Sequence, residues 1–369
     1  MKTVVIGMSG GVDSSVAAIL LKNEGYNVIG LFMRNWDSSI NNDIMGNPNL
    51  NNDICPQEKD YNDAKAVCDK LNIPLHRVDF VKEYWDYVFT YFLDELKNGR
   101  TPNPDVMCNK YIKFDFFVKE AKKLGADYIA TGHYAKLKDG YLYKASDENK
   151  DQSYFLAYLS KEQLQNVIFP LGDIDKTEVR KIAAKYGLIT ANKKDSTGIC
   201  FIGERNFSKF LQNYLPAQEG NIVEIDTGKT IGRHIGLMYY TIGQRKGLNI
   251  GGNNDKLYVV GKNLQDNVLY VCFGDQNKYL YSNHALLEKF NYIDDSKPEN
   301  VKCKFRYRQK DIECNKINYL PNNYVEIKYV KTKSVTPGQI CVIYNQNDRV
   351  VGAGIIKDVY IDDQKLWYL

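Results

Sequence analysis

Between the apolar run Val4-Val5-Ile6 and the apolar stretch Val16-Ala17-Ala18-Ile19-Leu20-Leu21 lies Gly7-Met8-Ser9-Gly10-Gly11-Val12-Asp13-Ser14-Ser15. The first run reads as a buried parallel strand and the second as a helix. A strand that turns through glycines into a helix N-terminus leaves several backbone N–H groups directed at one spot. Those unpaired donors and the helix dipole favour a phosphate there. Gly10 and Gly11 lack a Cβ and let the backbone approach a ligand closely. Ser9, Ser14 and Ser15 add hydroxyl donors, and Asp13 can hold the turn or help order a metal on the phosphates. A simple strand–turn–helix corner does not require serines and an aspartate packed around its glycines.

The segment is not a Walker loop, which ends in Gly-Lys-Ser/Thr after a Gly and four residues. Gly228-Lys229-Thr230 is the one such ending, but Val223 stands where the first Gly belongs. It follows the strand-like Ile222–Ile225 and no helical run succeeds it, so a hairpin turn is expected. Gly7, Gly10 and Gly11 do not fit the dinucleotide spacing either. Ser-Gly-Gly-x-Asp-Ser instead resembles the pyrophosphate loop of N-type ATP pyrophosphatases, which activate a carbonyl-type oxygen with AMP and release pyrophosphate.

A chain of 369 residues, 44% of them apolar, suggests two or three packed domains. No apolar run approaches the length of a membrane span. The first strand begins by Thr3, which leaves no room for a signal or transit peptide, so a cytoplasmic protein is expected. The eight cysteines include no Cys-x-x-Cys pair, which argues against a disulfide framework or a zinc site. No metal ligands are assigned. The net charge of +4 neither demands nor excludes nucleic acid.

Up to about residue 200, strand-like and helix-like runs alternate. Val28–Met33, Leu75–Val81 and Tyr128–Thr131 read as strands; Tyr61–Leu71, Tyr84–Leu96 and Phe114–Lys123 read as helices. The alternation predicts an α/β fold with a doubly wound parallel sheet and ligands outside the carboxyl ends of its strands. Gly7–Ser15, Met33 and Thr131-Gly132-His133 all fall at such ends. Beyond Phe201, short strand-like segments predict a small mixed domain and then a C-terminal β-barrel. The expected division is 1–204, 205–284 and 285–369. The polar stretch Asp37–Asp60 is a lid candidate or a plain connector.

Two segments carry cysteines in unusual settings. Arg100–Asn109 contains two prolines that stiffen it, and it places Cys108 before a helical stretch, near enough to a helix N-terminus for its thiolate to be stabilised. Asp195-Ser196-Thr197-Gly198-Ile199-Cys200 sets a second thiol in a glycine-flanked loop. Each is compatible with a buried inert cysteine when taken alone.

Taken with the loop, they resemble the tRNA-specific 2-thiouridylases. The resemblance spans the chain and rests on Gly7–Ser15, Asn35-Trp36-Asp37, Thr101–Asn109, Thr131–Ala135, Lys150–Tyr154, Ser196–Arg205, Tyr240–Leu248, Arg306–Gln309 and Thr336–Gln339. It implies a nucleophilic Cys108, a persulfide-bearing Cys200, and Asp105 managing protons at the base. It implies ATP contacts from Gly7, Met8, Ser9, Gly10, Gly11, Val12, Asp13, Ser14, Met33 and Gly132, with Mg²⁺ on the phosphates. The target base would meet Asn103, Pro104 and Asp105. Contacts to tRNA would come from His133, Lys150, Asp151, Gln152, Tyr307, Arg308 and Gln339. A sulfur donor protein, such as a cysteine desulfurase or sulfur-relay protein, is the other implied partner. Cys55 and Cys68 are expected to be structural.

Lys302–Lys310 alternates strictly. As one strand it would present Lys302, Lys304, Arg306, Arg308 and Lys310 on one face, a rail suited to phosphates or a solvated barrel face.

Overall fold

The computed structural model describes residues 1–50, 54–195, 198–248, 250–251 and 255–369. Ser196 and Thr197 of the Cys200 segment, and the end of the Asp37–Asp60 stretch at 51–53, lie outside the described residues.

The first three β-strands are β1 (Thr3–Gly7), β2 (Asn27–Arg34) and β3 (Leu75–Asp79). With β4 (Tyr128–Ala130) and the short Val167–Ile168 they make a parallel sheet in the order β3-β2-β1-β4-Val167–Ile168. Residues alternate across its two faces. Val4 and Ile6 therefore pack with the helices α1 (Val12–Asn23), α2 (Pro56–Leu71) and Lys176–Lys185. Val5, Leu31 and Met33 pack on the opposite side with helical runs 81–97 and 104–123. Burial on both faces explains why Val4-Val5-Ile6 is continuously apolar.

The helix α2 starts at Pro56, earlier than its apolar spacing from Ala64 onward suggests. Pro56 occupies the first turn, where its missing N–H costs nothing, and that turn's polar residues lie off the sheet. Both helical runs on the other face contain wide, π-type turns, at Trp85–Phe89 and Cys108–Phe116.

The smaller sheet that follows pairs Gly220–Glu224 with Thr230–His234 and with Val268–Phe273, which in turn pairs Leu257–Asn263. Gly228 turns the first hairpin with φ +70°, and no phosphate loop forms there. The last sheet closes on itself. Tyr281–Tyr292 pairs with both Tyr324–Lys333 and Val350–Ile361, completing a six-stranded antiparallel barrel around Ala285, Leu287, Val325, Ile327 and Ile343. That first barrel strand runs across the 284/285 junction.

The expected cationic rail does not form. Its strand is only Val301–Lys304, and the chain then turns, with Arg308 at φ +63°. Lys302 and Lys304 point at carboxylates of neighbouring segments: Lys302 lies 3.0 Å from Asp348 and Lys304 lies 3.6 Å from Asp311. Alternation within one strand carries no information about the acids that other segments bring to its face.

The start of the Asp37–Asp60 stretch is tied down. Asp43, fully buried, pairs with Arg205 at 2.7 Å and accepts from Trp36 Nε1 at 3.0 Å. Removing one partner of a buried pair leaves an uncompensated charge. Asp43→Ala should cost about 3–5 kcal/mol in urea unfolding, and Asp43→Ala with Arg205→Met should recover most of that.

Candidate active site

The sheet order reverses around β1, whose neighbours β2 and β4 send their connections to opposite faces. A crevice opens there, outside the carboxyl ends of the strands. The turn after β1 fills its floor. Met8 N–H donates to Leu31 at 3.0 Å, and Ser9 N–H donates to Ser14 Oγ at 3.2 Å. The Ser14 and Ser15 hydroxyls donate to the Gly11 carbonyl at 3.2 and 2.8 Å. The helix's own serines thus wrap the loop, while the first-turn amides of α1 have no intrahelical acceptor. Gly10 adopts φ +72°, and a Cβ there would collide with the Asp60 carbonyl. A Cβ on Gly132, at the end of β4, would lie 2.8 Å from Ser14 N. The end of β4 therefore meets the first turn of α1 backbone to backbone, and Met33 packs beside Gly7.

Lysines that the sequence reading passed over surround this loop. Lys193 donates to the Gly10 carbonyl at 2.9 Å and to Asp60 at 2.7 Å. Lys176 holds both Asp13 oxygens at 2.7 Å, and Tyr134 Oη donates to Asp13 at the same distance. Lys176 also reaches Asp195 at 2.9 Å, which Lys150 and Arg180 pair as well. Burial opposes the charge on Asp195, but hydrogen bonds from Lys150 and Lys176 outweigh it and hold this carboxyl at about 2. Nothing in the local pattern of Lys176 or Lys193 marks them, because each meets the loop only through the tertiary fold.

The second cluster lies where the loop 198–203 docks onto the start of helix 104–123. Asn103 caps that helix, its Oδ1 accepting from Val106 N–H at 3.3 Å, with Pro104 in the first turn. Asp105 Oδ1 accepts the Cys200 N–H at 2.9 Å, and Tyr84 Oη donates to the Cys200 carbonyl at 2.9 Å. Cys108 Sγ and Cys200 Sγ are 3.7 Å apart, in contact and not bonded. Residues 92 apart in the chain are brought together. The barrel braces this turn: Thr101 N–H donates to Pro337 at 2.9 Å and Gln339 Nε2 to Pro102 at 3.4 Å.

The two thiols differ electrostatically, and the difference corrects an expectation. Cys108 sits inside the helix and not ahead of it; burial, with the neighbouring Cys200, pushes its thiol well above the ordinary range. Cys200 is the thiol held down, by a hydrogen bond from Cys108 and by Lys113. Burial raises Asp105, opposed by the Cys200 amide and Lys113. Lys113 was not singled out from sequence; it reads there as one more helical lysine. Cys68 is buried in the core, as a filler would be, whereas Cys55 is exposed ahead of α2.

Comparison with known proteins decides the family. The model of the tRNA methyl transferase HUP domain matches residues 2–204, the tRNA methyl transferase PRC-barrel domain 208–273, and the aminomethyltransferase beta-barrel domain 282–356. The tRNA-specific 2-thiouridylase MnmA of Mycoplasmopsis synoviae is 59% identical over 370 residues, covering 100% of this chain and 99% of the relative. That of Metamycoplasma arthritidis is 58% identical, covering 100% of both chains. The chain belongs to the tRNA-specific 2-thiouridylase family. It is a sulfurtransferase that forms 2-thiouridine in tRNA. Among solved structures, a 4-thiouridine synthetase–RNA complex with bound ATP aligns with 55% of this chain and 46% of its own, at 17% identity and a TM-score of 0.35. A likeness that low carries no argument here.

The positions expected to meet tRNA in this thiouridylase are differently placed. His133 is buried between Phe114 and Phe169, with Nδ1 2.7 Å from Thr131 Oγ1. Burial and then Lys113 hold it well below the usual imidazole range, so it is neutral near pH 7. Asp151 is buried and accepts from Ala145 and Ser153, while Gln152 Oε1 accepts the Tyr134 N–H at 3.0 Å. Tyr307 packs against Phe155 with the rings tilted by 44° and centroids 4.5 Å apart, and the Arg308 guanidinium lies 5.5 Å from the Tyr307 ring. Among the described residues no helix is long and apolar enough to cross a membrane.

The Asp195 network predicts an acid sensitivity. A carboxyl whose folded value lies below its unfolded one stabilises the fold above about pH 4. That contribution disappears as the pH falls toward 2. Melting temperature against pH should therefore show a shallower acid limb for Asp195→Asn than for the parent.

Proposed function

We propose that this enzyme thiolates the wobble uridine of tRNA in two stages, activation of the uracil 2-oxygen and transfer of sulfur from a persulfide on Cys200. The observation that carries the reading is the 3.7 Å contact between Cys108 and Cys200 beside Asp105. The glycine-lined turn at Gly7–Ser14, with its open first-turn amides and Gly132 pressed against it, fits a polyphosphate. ATP bound there would supply the adenylyl group that turns a poor leaving oxygen into a good one. Asp13 is the carboxylate in the loop that Mg²⁺ would meet.

The base enters over Asn103, Pro104 and Asp105, splayed from the anticodon stack at a cost of a few kcal/mol. Asp105, its carboxyl raised by burial, manages the proton at the base. The terminal sulfur of the Cys200 persulfide attacks C2, and AMP leaves. Cys108 then attacks Cys200 Sγ: the Cys200–sulfur bond to the base breaks, thiouridine departs, and a Cys108–Cys200 disulfide forms. A thiol reductant restores both cysteines. Closing that disulfide requires the sulfurs to move from 3.7 Å to about 2.05 Å.

Lys150, Tyr307, Arg308 and Gln339 would face the RNA, backed by His133, Asp151 and Gln152, whose side chains pack or bond within the protein. Asp151 and Gln152 engage their side chains internally and offer backbone, while Lys150 would exchange Asp195 for a phosphate. A persulfide-carrying protein in the cytoplasm loads Cys200. The units 1–204, 205–284 and 285–369 divide the work, the first holding both stages and the last holding RNA.

Two experiments test this. Cys200→Ser and Cys108→Ser should each abolish thiouridine formation, by nucleoside analysis, yet bind ATP normally in calorimetry; thiolation surviving in either removes that cysteine from the scheme. Arg306→Ala with Arg308→Ala should weaken tRNA binding and flatten its dependence on salt, whereas an unchanged slope would place this turn away from RNA.

A further inference from the structure

The segment Asn35-Trp36-Asp37, just after β2, carries neither a thiol nor a phosphate-loop glycine, yet Asn35 and Trp36 are buried. What they touch leads to Cys200. The loop 198–203 makes two backbone bonds of its own, from the Ile202 and Gly203 N–H groups, and both end on the Ile199 carbonyl. The amide and carbonyl of Cys200 and the carbonyl of Phe201 are met by side chains instead. Asp105 accepts from the amide at 2.9 Å, Tyr84 Oη donates to the Cys200 carbonyl at 2.9 Å, and Gln57 Nε2 donates to the Phe201 carbonyl at 3.2 Å. Helix 104–123, run 81–97 and α2 thus hold two consecutive residues. Phe201 sits at φ +66°, a conformation that a residue bearing a side chain keeps only where its surroundings impose it. Asn35 and Trp36 back two of these holders. Asn35 N–H donates to Gln57 Oε1 at 3.3 Å, and Trp36 meets the Tyr84 ring edge-on with centroids 6.0 Å apart. Trp36 is itself bound to Asp43, and Asp43 to Arg205 just beyond the loop.

We propose that Tyr84 and Gln57 are positioning residues for sulfur transfer: they fix the backbone at Cys200–Phe201 so that the two thiols stand opposite each other, and Asn35-Trp36 holds them to that task. This deepens the reading of Cys108 and Cys200 as the reacting pair and rests on it. Neither residue touches a reacting atom; each acts through the loop backbone. How often two thiols meet depends on how few conformations separate them, since a held geometry raises their effective concentration. The 3.7 Å approach of Cys108 and Cys200 is the geometry so held. Freed of either clamp, the loop has its left-handed residue to relax and the sulfurs meet less often.

The test uses the full-length protein equilibrated with reduced and oxidised glutathione, quenched with acid and mapped by mass spectrometry. The fraction of Cys108–Cys200 disulfide gives an equilibrium constant that reports how well the thiols are placed. Tyr84→Phe removes one oxygen and keeps the ring; it should lower that constant about fivefold, the worth of one net hydrogen bond. Gln57→Leu, at a half-buried position in the first turn of α2, should do the same and serves alone if the Tyr84 variant does not fold. In both, kcat for thiouridine formation should fall with KM for tRNA unchanged. A purely structural role would lower the urea midpoint and leave the disulfide equilibrium where it was. A constant equal to the parent's in either variant removes that residue from the proposal, and equality in both overturns it. Thiouridine formation by Cys200→Ser would instead overturn the reading of the thiols as the reacting pair, a result the glutathione equilibrium cannot produce.

Discussion

The hydrogen bond from the Cys200 amide to Asp105, 2.9 Å long, ties two distant parts of the chain into one site. One end belongs to a helix start stiffened by Pro102 and Pro104 and capped by Asn103. The other belongs to a loop with almost no secondary structure of its own. With the loop anchored through its backbone, Cys200 Sγ lies 3.7 Å from Cys108 Sγ. Tyr84 fixes the same residue from its carbonyl side. Burial raises both thiols, but the hydrogen bond between them acts in opposite directions on the two. The one embedded in the helix is pushed up, and the one in the loop is held lower.

The nucleotide end of the crevice follows the same logic with opposite charges. A helix N-terminus invites an anion, and Lys176 and Lys193 beside it pair with Asp13, Asp60, Asp63 and Asp195. Lys193 also donates to the Gly10 carbonyl, so the cations are tied to the loop itself. The two ends are linked: His133 packs on Phe114 of the helix that carries Cys108, and the adjacent Gly132 lies against the Ser14 backbone. A barrel far along the sequence braces the thiol end through hydrogen bonds at Pro337 and Gln339.

Much of this was legible from residues alone. Apolar runs and glycines located β1, its phosphate turn and the parallel sheet, because local hydrogen bonding and two-sided burial leave local signatures. The resemblance carried by short separated motifs pointed to both cysteines and to Asp105. The alternation at Lys302–Lys310 misled because a strand's length depends on its neighbours, and the carboxylates of Asp311 and Asp348 arrive from elsewhere. Lys113, Lys176 and Lys193 were silent for a related reason: a lysine looks the same in sequence whether its ammonium meets water or a partner from a distant segment.

Sequence by itself determined the chemistry available to this protein: a glycine-rich turn at a helix N-terminus, two thiols in stiff or glycine-flanked settings, and a carboxylate beside one of them. Those are properties of residue type and near-neighbour spacing. Only the tertiary structure decided which thiol would be the more acidic and which cation would face it. Proton affinity depends on burial and on charges a few ångströms away in space, and those distances are set by packing among segments that the chain keeps far apart.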